Sequence, residues 1–583
     1  MRTLDLSIQP MDYLSLENAG LGLSKVGMSI VNGGKLTFSG EDVYFDVENP
    51  EILWSTKYVQ LESEFKLRTL RFLSSPLLNY EKSGDKSSCV FFEKFLKSFL
   101  CLMKPHNSIR KLPSEDHALY IRTVLFIKAL MVFPETWELR EELVDLVIRQ
   151  GKWMLDDNNY RKNNHGVMMD LGLLHLSALF REHSFSTQYR ERALERIKEM
   201  FVESFDADGF HNENTIMYLN FNLKLYKEIT YFCNHYAFDS DIRQMFNDTI
   251  QKAEEALQYL VWQDGTIPPI GDGGQSKSGY ESINASKFFK NGNFALVKDD
   301  DTYFSLKCGW TTFIHKHVDE ASITLRYKNE DLLIDSGKFN YDNNGPRPKL
   351  VSFAGHSTIY PLKYENTQLK EMIKQYASAE VSFYGADEKS TKIQASYSLE
   401  KGAIVVARHV DCGNGFIEML DEWKCEKLQL MRQRFIIPGN AIVEELAVTN
   451  GGYAYLITNN SQRMRIGIVN SSVSVAVRLT RGVVSPVDFK LADAWFLDID
   501  AEKSMAGQIK TEILFGDKTK GMVSASLEQY DDAAMLQNLR EELMARSSLL
   551  YNMQNSVSWR ITKPLRACGI AFRRAAKKIR GDP

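Results

Sequence analysis

A helical first half followed by a β-rich second half is the fold class that this 583-residue sequence predicts. Three observations carry the prediction. Between about residues 60 and 265 apolar residues recur at three- and four-residue spacing, with Gly and Pro sparse. From about residue 290 the period changes to short alternating segments separated by turn residues. Between the two lies "DGTIPPIGDGG" (Asp264 to Gly274), whose Pro and Gly content marks a boundary loop.

The predicted organisation is a lead-in over 1–60, a helical domain over 61–285, an antiparallel β domain over 286–525 and a helical, basic tail over 526–583. "HALYIRTVLFIKALMVF" and "RERALERIKEMFVESF" are amphipathic helices, and a series of them suggests a bundle, toroid or solenoid. No repeat of fixed period is visible. "FALVKDD", "YFSLKCG", "ASITLRY", "DLLIDSG", "AIVVARHV", "AYLITNN" and "VSVAVRL" read as strands of a sandwich or stacked sheets. "LQNLREELMARSSLLYNMQN" returns to a helix, and Leu536, Leu543 and Leu550, seven apart, hint at a short coiled coil.

Composition is globular, with 44% hydrophobic and 25% charged residues. The formal net charge is −4, yet the segment from Trp559 to Pro583 carries eight Lys/Arg against one acid, Asp582. A mildly acidic body thus ends in a basic tail, and no nucleic-acid partner is expected. "ACGIAFRRAAKKIR" reads as a basic amphipathic helix suited to an anionic membrane face or a partner protein. The seven cysteines form no CxxC pair, which argues against a disulfide scaffold or a cysteine zinc site. The first 20 residues show no basic region leading into an apolar stretch, and no run of about 18 apolar residues occurs. The expected location is cytoplasmic or peripheral at the inner membrane, with the periplasm as the alternative.

The stretch "FIHKHVDEASITLRYKNEDLLIDSG" (Phe313 to Gly337) holds the densest chemistry. Read as a strand, it points His315, His317 and Asp319 to one face. Asp335 closes the next apolar run, and "FAGHSTI" supplies His356. Two imidazoles and a carboxylate suit zinc. In the helical half, "RKNNHGVMMDLGLLHLSALF" sets Asn163, Asn164 and His165 at the mouth of an apolar helix, where an Asn is also a natural N-cap. "DADGFHNENTIMYLNFNLKLYKEI" carries His211, Glu213 and Tyr218 through a polar turn into another helix.

The order NNHG, DGxHxE-x4-Y, PPxGD, HxHxD, an apolar run ending in D-x-G, then GHSTI resembles the heparinase II/III-like family of polysaccharide lyases. The likeness extends over most of the chain, including "GKLTFSGEDVYFDVENPEILW" near the start. It implies an incomplete (α/α) toroid followed by an antiparallel β-sheet sandwich, with the active site in the cleft between them. It implies that Asn164 and His165 neutralise a uronate carboxylate, that Tyr218 and His315 transfer protons, and that His317, Asp335 and His356 bind zinc. Asn163, Glu213 and Arg347 are expected to contact substrate, with Lys316, Lys338 and Lys349 as further cations near an acidic polysaccharide. The departure is at "NTIMYLN", where the family often shows Ser-Pro before the tyrosine and a histidine after it. A second likeness joins "NSVSWRITKPLR" (Asn555 to Arg566) to the ends of bacterial glycosyltransferases that build surface polysaccharides, which places the chain in exopolysaccharide or capsule metabolism. The leading expectation is β-elimination of a uronate-containing polymer. The alternatives are hydrolysis on the same scaffold and non-catalytic polysaccharide binding in an assembly complex.

Overall fold

The computed structural model describes residues 34–38, 41–55, 61–103, 115–239, 241–342, 345–446, 453–520 and 522, together with Leu4. The expected coiled coil, basic tail and glycosyltransferase-like segment lie outside the described residues.

A two-stranded ribbon, β1 (Gly34–Phe38) and β2 (Glu41–Phe45), precedes the helices. These are α1 (Glu51–Ser55), α2 (Leu61–Arg68), α3 (Ser74–Ser83), α4 (Lys86–Leu102), α5 (Glu115–Val132), α6 (Arg140–Leu155), α7 (Asn164–Leu179), α8 (Ser184–Ser204), α9 (Ile216–His235) and α10 (Asp241–Leu260). Local chemistry sets their ends. Asp85 caps α4 by accepting the Ser87 and Ser88 N–H groups, and the helix buries Phe91, Phe92, Phe95, Leu96, Phe99 and Leu100 along one stripe. Helix α7 is apolar all round because it is enclosed by its neighbours α5, α6 and α8. Asn163 caps it, accepting the His165 N–H at 3.0 Å. Thr215 caps α9, accepting the Tyr218 N–H at 3.1 Å. His165 and Tyr218 therefore both sit in the first turns of helices, where N–H groups face outward and the helix dipole favours negative charge.

Two antiparallel sheets follow. The smaller runs β5 (Lys287–Phe289), β6 (Phe294–Lys298), β7 (Thr302–Lys307), β8 (Ser322–Tyr327), β9 (Glu330–Leu333) in spatial order, after a short ribbon of β3 (Thr266–Ile267) and β4 (Ser276–Lys277). The larger holds β10 (Ile359–Pro361), β11 (Tyr376–Ala386), β12 (Ser390–Leu399), β13 (Ile404–Gly413), β14 (Phe416–Pro438), β15 (Ile442–Glu445), β16 (Ala454–Asn459), β17 (Gln462–Ser471), β18 (Val475–Val487) and β19 (Lys490–Phe515). Strands β14 and β19 pair along most of their length, with register shifts between Lys424 and Met431 that let the long pair bend.

The smaller sheet is covered on both faces. Phe294, Leu296 and Tyr303 join the helical core, while Ala295, Phe304 and Leu306 join the core shared with the larger sheet. Alternation along the strand thus sends successive side chains into two different cores. Every residue of β7 is buried as a result. The architecture is an α toroid followed by stacked antiparallel sheets, with the seven quoted strand segments in β6, β7, β8, β9, β13, β16 and β18.

One expectation fails here. The HxHxD segment is not a strand. Residues between β7 and β8 form a loop, and His315 adopts a left-handed φ of 54°. The i, i+2 rule therefore does not orient it.

Gly337 fixes the chain just after Asp335. It has φ 62° and bridges Ser485, whose N–H reaches Ser336 O at 2.7 Å. A Cβ there would collide with the Ser485 carbonyl oxygen. Gly337→Ala should lower stability by about 1–3 kcal/mol, from strain and the lost approach; urea unfolding of the two proteins measures it, and an unchanged midpoint would remove this role.

Candidate active site

The site is assembled around one carboxylate. Asp272, from the PPIGD loop after α10, is 2% exposed. Its oxygens accept His315 Nδ1 at 3.1 Å, His317 Nε2 at 2.9 Å, and Arg347 Nη1 and Nη2 at 2.8 and 3.2 Å. Burial alone would raise this carboxyl, but the two histidine hydrogen bonds and the guanidinium charge outweigh it and hold the group well below the ordinary range. An ionised Asp272 makes Nδ1 the protonated nitrogen of His315 and leaves Nε2 as the acceptor.

The helical domain grips the loop that carries both histidines. Asn214, at φ 63°, donates its amide to Thr312 O at 2.7 Å and Ile314 O at 2.9 Å. Thr312 Oγ1 donates to Asn212 O at 2.7 Å. Glu213 and Tyr218 are thereby brought to His315. The Tyr218 and His315 rings stack with centroids 3.5 Å apart and an interplanar angle of 13°. His315 Nε2 lies 3.6 Å from Glu213 Oε2. Burial lowers the His315 pKa, with Asp272 opposing, so the imidazole is neutral near pH 7.

Glu213 has an unusual environment for an acid. It is 2% exposed, and its Oε2 takes no hydrogen bond among the described residues. Burial pushes its carboxyl up to about 7, against the pull of the Asn164 backbone N–H and the Asn222 side chain. Asn164 is itself buried at the first position of α7, and His165 hydrogen-bonds Asp116 through Nδ1 at 3.2 Å. Tyr218 Oη meets Tyr341 Oη at 2.6 Å, and Lys338 Nζ donates to Tyr341 Oη at 2.8 Å. Burial raises the Tyr218 phenol above its ordinary value, so it holds its proton at neutral pH.

Beneath this cluster, His317, Asp335 and His356 are buried and offer ligand atoms that all lie within 4.8 Å of one another. His317 Nδ1 and His356 Nε2 are buried with no hydrogen-bond partner among the described residues. Orphaned imidazole nitrogens beside a carboxylate fit a divalent metal. The other nitrogen of His317 donates to Asp272, the outer support that metal-bound histidines ordinarily have.

The sequence-predicted residues thus fall into place unevenly. Asn164, His165, Glu213, Tyr218 and His315 are drawn together, and His317, Asp335 and His356 form the second group. Asn163 spends its side chain on the helix cap. Arg347 is turned onto Asp272 and the Asn340 carbonyl, its side chain 14% exposed, so it braces the site from within. Asp319 does not share a face with the histidines: it pairs with Lys307 at 3.0 Å and with Lys316. Lys316 is fully buried between Asp319 and Glu320, so it cannot meet a polymer. The sequence motifs assign no role to Asp272 or Tyr341. Asp272 had a signal in PPIGD, a carboxylate after a Gly at φ 68°; Tyr341 had none.

The heparinase II/III N-terminus family model matches residues 23–293, and the heparinase II/III-like C-terminal model matches residues 283–492. The chain belongs to the heparinase II/III-like family. Its enzyme class is polysaccharide lyase. Among solved structures it resembles a heparinase III at 14% identity, TM-score 0.68, covering 83% of this chain and 80% of that one. A second heparinase III aligns at 14% identity and TM-score 0.63 over 88% and 91% of the two chains. The heparan sulfate lyase HepC mutant from Pedobacter heparinus aligns at 15% identity and TM-score 0.61 over 87% and 84%. These likenesses concern the fold. No curated protein matches the sequence.

Glu213 gives a test of the electrostatics. An ordinary glutamate titrates near 4.5, whereas this one keeps its proton to about 7. Between those values the folded state binds more protons than the unfolded one, so stability falls as pH rises through that window. Glu213→Gln removes this loss and should gain up to about 3 kcal/mol relative to wild type above pH 7, and nothing below pH 4. Thermal unfolding across pH checks the sign; parallel pH profiles would contradict it.

Proposed function

We propose that the protein cleaves a uronate-containing polysaccharide by β-elimination. The observation that supports this best is the Tyr218–His315 stack held against Asp272, with Asn164, His165 and Glu213 beside it. His315 Nε2, left unprotonated by the Nδ1 bond to Asp272, takes the proton from C5 of the uronate. The C5–H electrons form the C4–C5 double bond, the C4–O bond breaks, and the leaving oxygen takes the Tyr218 proton. The proton on C5 is weakly acidic unless the adjacent carboxylate is neutralised. Glu213, a carboxyl that still carries its proton near pH 7, can share it with the substrate carboxylate, and Asn164 and His165 at the N-terminus of α7 add donors and dipole.

His317, Asp335 and His356 would hold zinc, the metal that suits two imidazoles and a carboxylate. When bound, it supplies a fixed positive charge and a clamp between the histidine loop and the residues after β9. Hydrolysis is less well supported, because it calls for a pair of working carboxylates, and Asp272 is already saturated by four donors. The resemblance at Asn555–Arg566 supports a place in surface-polysaccharide metabolism at the cytoplasmic side of the membrane.

Incubation with alginate, heparan sulfate, hyaluronan and bacterial capsular polymers should give ultraviolet absorbance from the unsaturated uronate with at least one of them. Tyr218→Phe should lower that rate by about a hundredfold or more with circular dichroism unchanged. New reducing ends without absorbance would overturn elimination in favour of hydrolysis.

A further inference from the structure

Resting on the elimination reading, we propose that Tyr341 and Lys338 form a relay that aims the Tyr218 proton at the leaving oxygen and replaces it after each turnover. The geometry is a chain of hydrogen bonds. Lys338 Nζ donates to Tyr341 Oη at 2.8 Å, and Tyr341 Oη lies 2.6 Å from Tyr218 Oη. An ammonium has only donors, so the Tyr341 oxygen accepts from Lys338, and in the relay its own hydrogen goes to Tyr218, either phenol being able to donate across that contact. Tyr218 is then an acceptor on that side, and its hydrogen is left for the cleft.

The surroundings fit this direction of flow. Lys338 is 3% exposed and packs over the Tyr341 ring, 4.2 Å from its centroid. Arg347 lies over the same ring at 5.1 Å. Two cations therefore favour negative charge on the linked phenols during the reaction. Lys338 also pairs with Asp488 at 3.2 Å, whose side chain is 40% exposed, which gives the inner end of the chain an outlet to solvent. Tyr341 is 39% exposed, at the open side of the cluster.

In the step itself, the C4–O electron pair passes to the leaving oxygen, which takes the Tyr218 proton. The Tyr218 phenolate takes the Tyr341 proton, and Tyr341 is replenished from Lys338. Lys338 regains its proton from water past Asp488, and the proton removed from C5 leaves His315 to solvent. One proton enters and one leaves, with no oxidant or further reactant.

The test compares two leaving groups. A uronide bearing fluoride at C4 expels an ion that needs no proton, whereas the polymer's alkoxide does. Tyr341→Phe should lower kcat on the polymer by about tenfold or more, with KM unchanged, and the fluoride substrate should close most of that gap. Lys338→Met should follow the same pattern. A Tyr341→Phe enzyme as fast as wild type on the polymer would overturn the relay. Equal slowing on both substrates would also overturn it, as a structural effect. Failure of wild type to make unsaturated product from either substrate would overturn the elimination reading, and the relay with it.

Discussion

The buried carboxylate of Asp272 is the constraint on which the site depends. It comes from the loop that ends the helical half, and it receives His315, His317 and Arg347 from segments that follow strands of the β half. An ionised group at this depth is tolerable only when its lone pairs are met by charged or N–H donors. Here four donors meet it. In doing so the carboxylate sets the tautomer of His315, orients His317 toward the candidate metal ligands, and draws Arg347 inward. The same atoms that compensate the buried charge thus arrange the chemistry.

That arrangement needs the two halves to be locked together, and the packing supplies the lock. The smaller sheet is covered on one face by helical residues and on the other by the larger sheet, so its strands feed both cores. Above it, Asn214 holds the histidine loop by its backbone. Loops built this way carry function while the rigid layers beneath fix their position. The left-handed φ of His315 is consistent with a backbone held in place by its surroundings.

Much of the fold was legible. The strand segments named from alternation lie in strands, and the helical period ends close to Leu260, the last residue of α10. The candidate residues were legible through a family pattern, since each alone has an ordinary reading; Asn163 shows this, serving as the N-cap its residue type suggests. What was not legible is long-range. "FIHKHVDEASITL" has strand-like alternation, yet its first part is a loop pinned from residues about 100 positions earlier. In sequence Lys316 looks like a cation facing the polymer and Asp319 like a face-mate of the histidines, and only the fold shows them neutralising each other in the interior. Asp272 and Tyr341 matter through partners 43 and 123 residues away, distances at which local pattern carries no information.

One carboxylate thus holds the proposed proton-transferring histidine and the candidate metal group in register. Asp272→Asn tests it directly, by measuring bound metal and the rate of unsaturated product on the same folded sample. Both should fall together, the rate by about a hundredfold, as for displaced proton-transfer groups. Full metal content with an undiminished rate would contradict it.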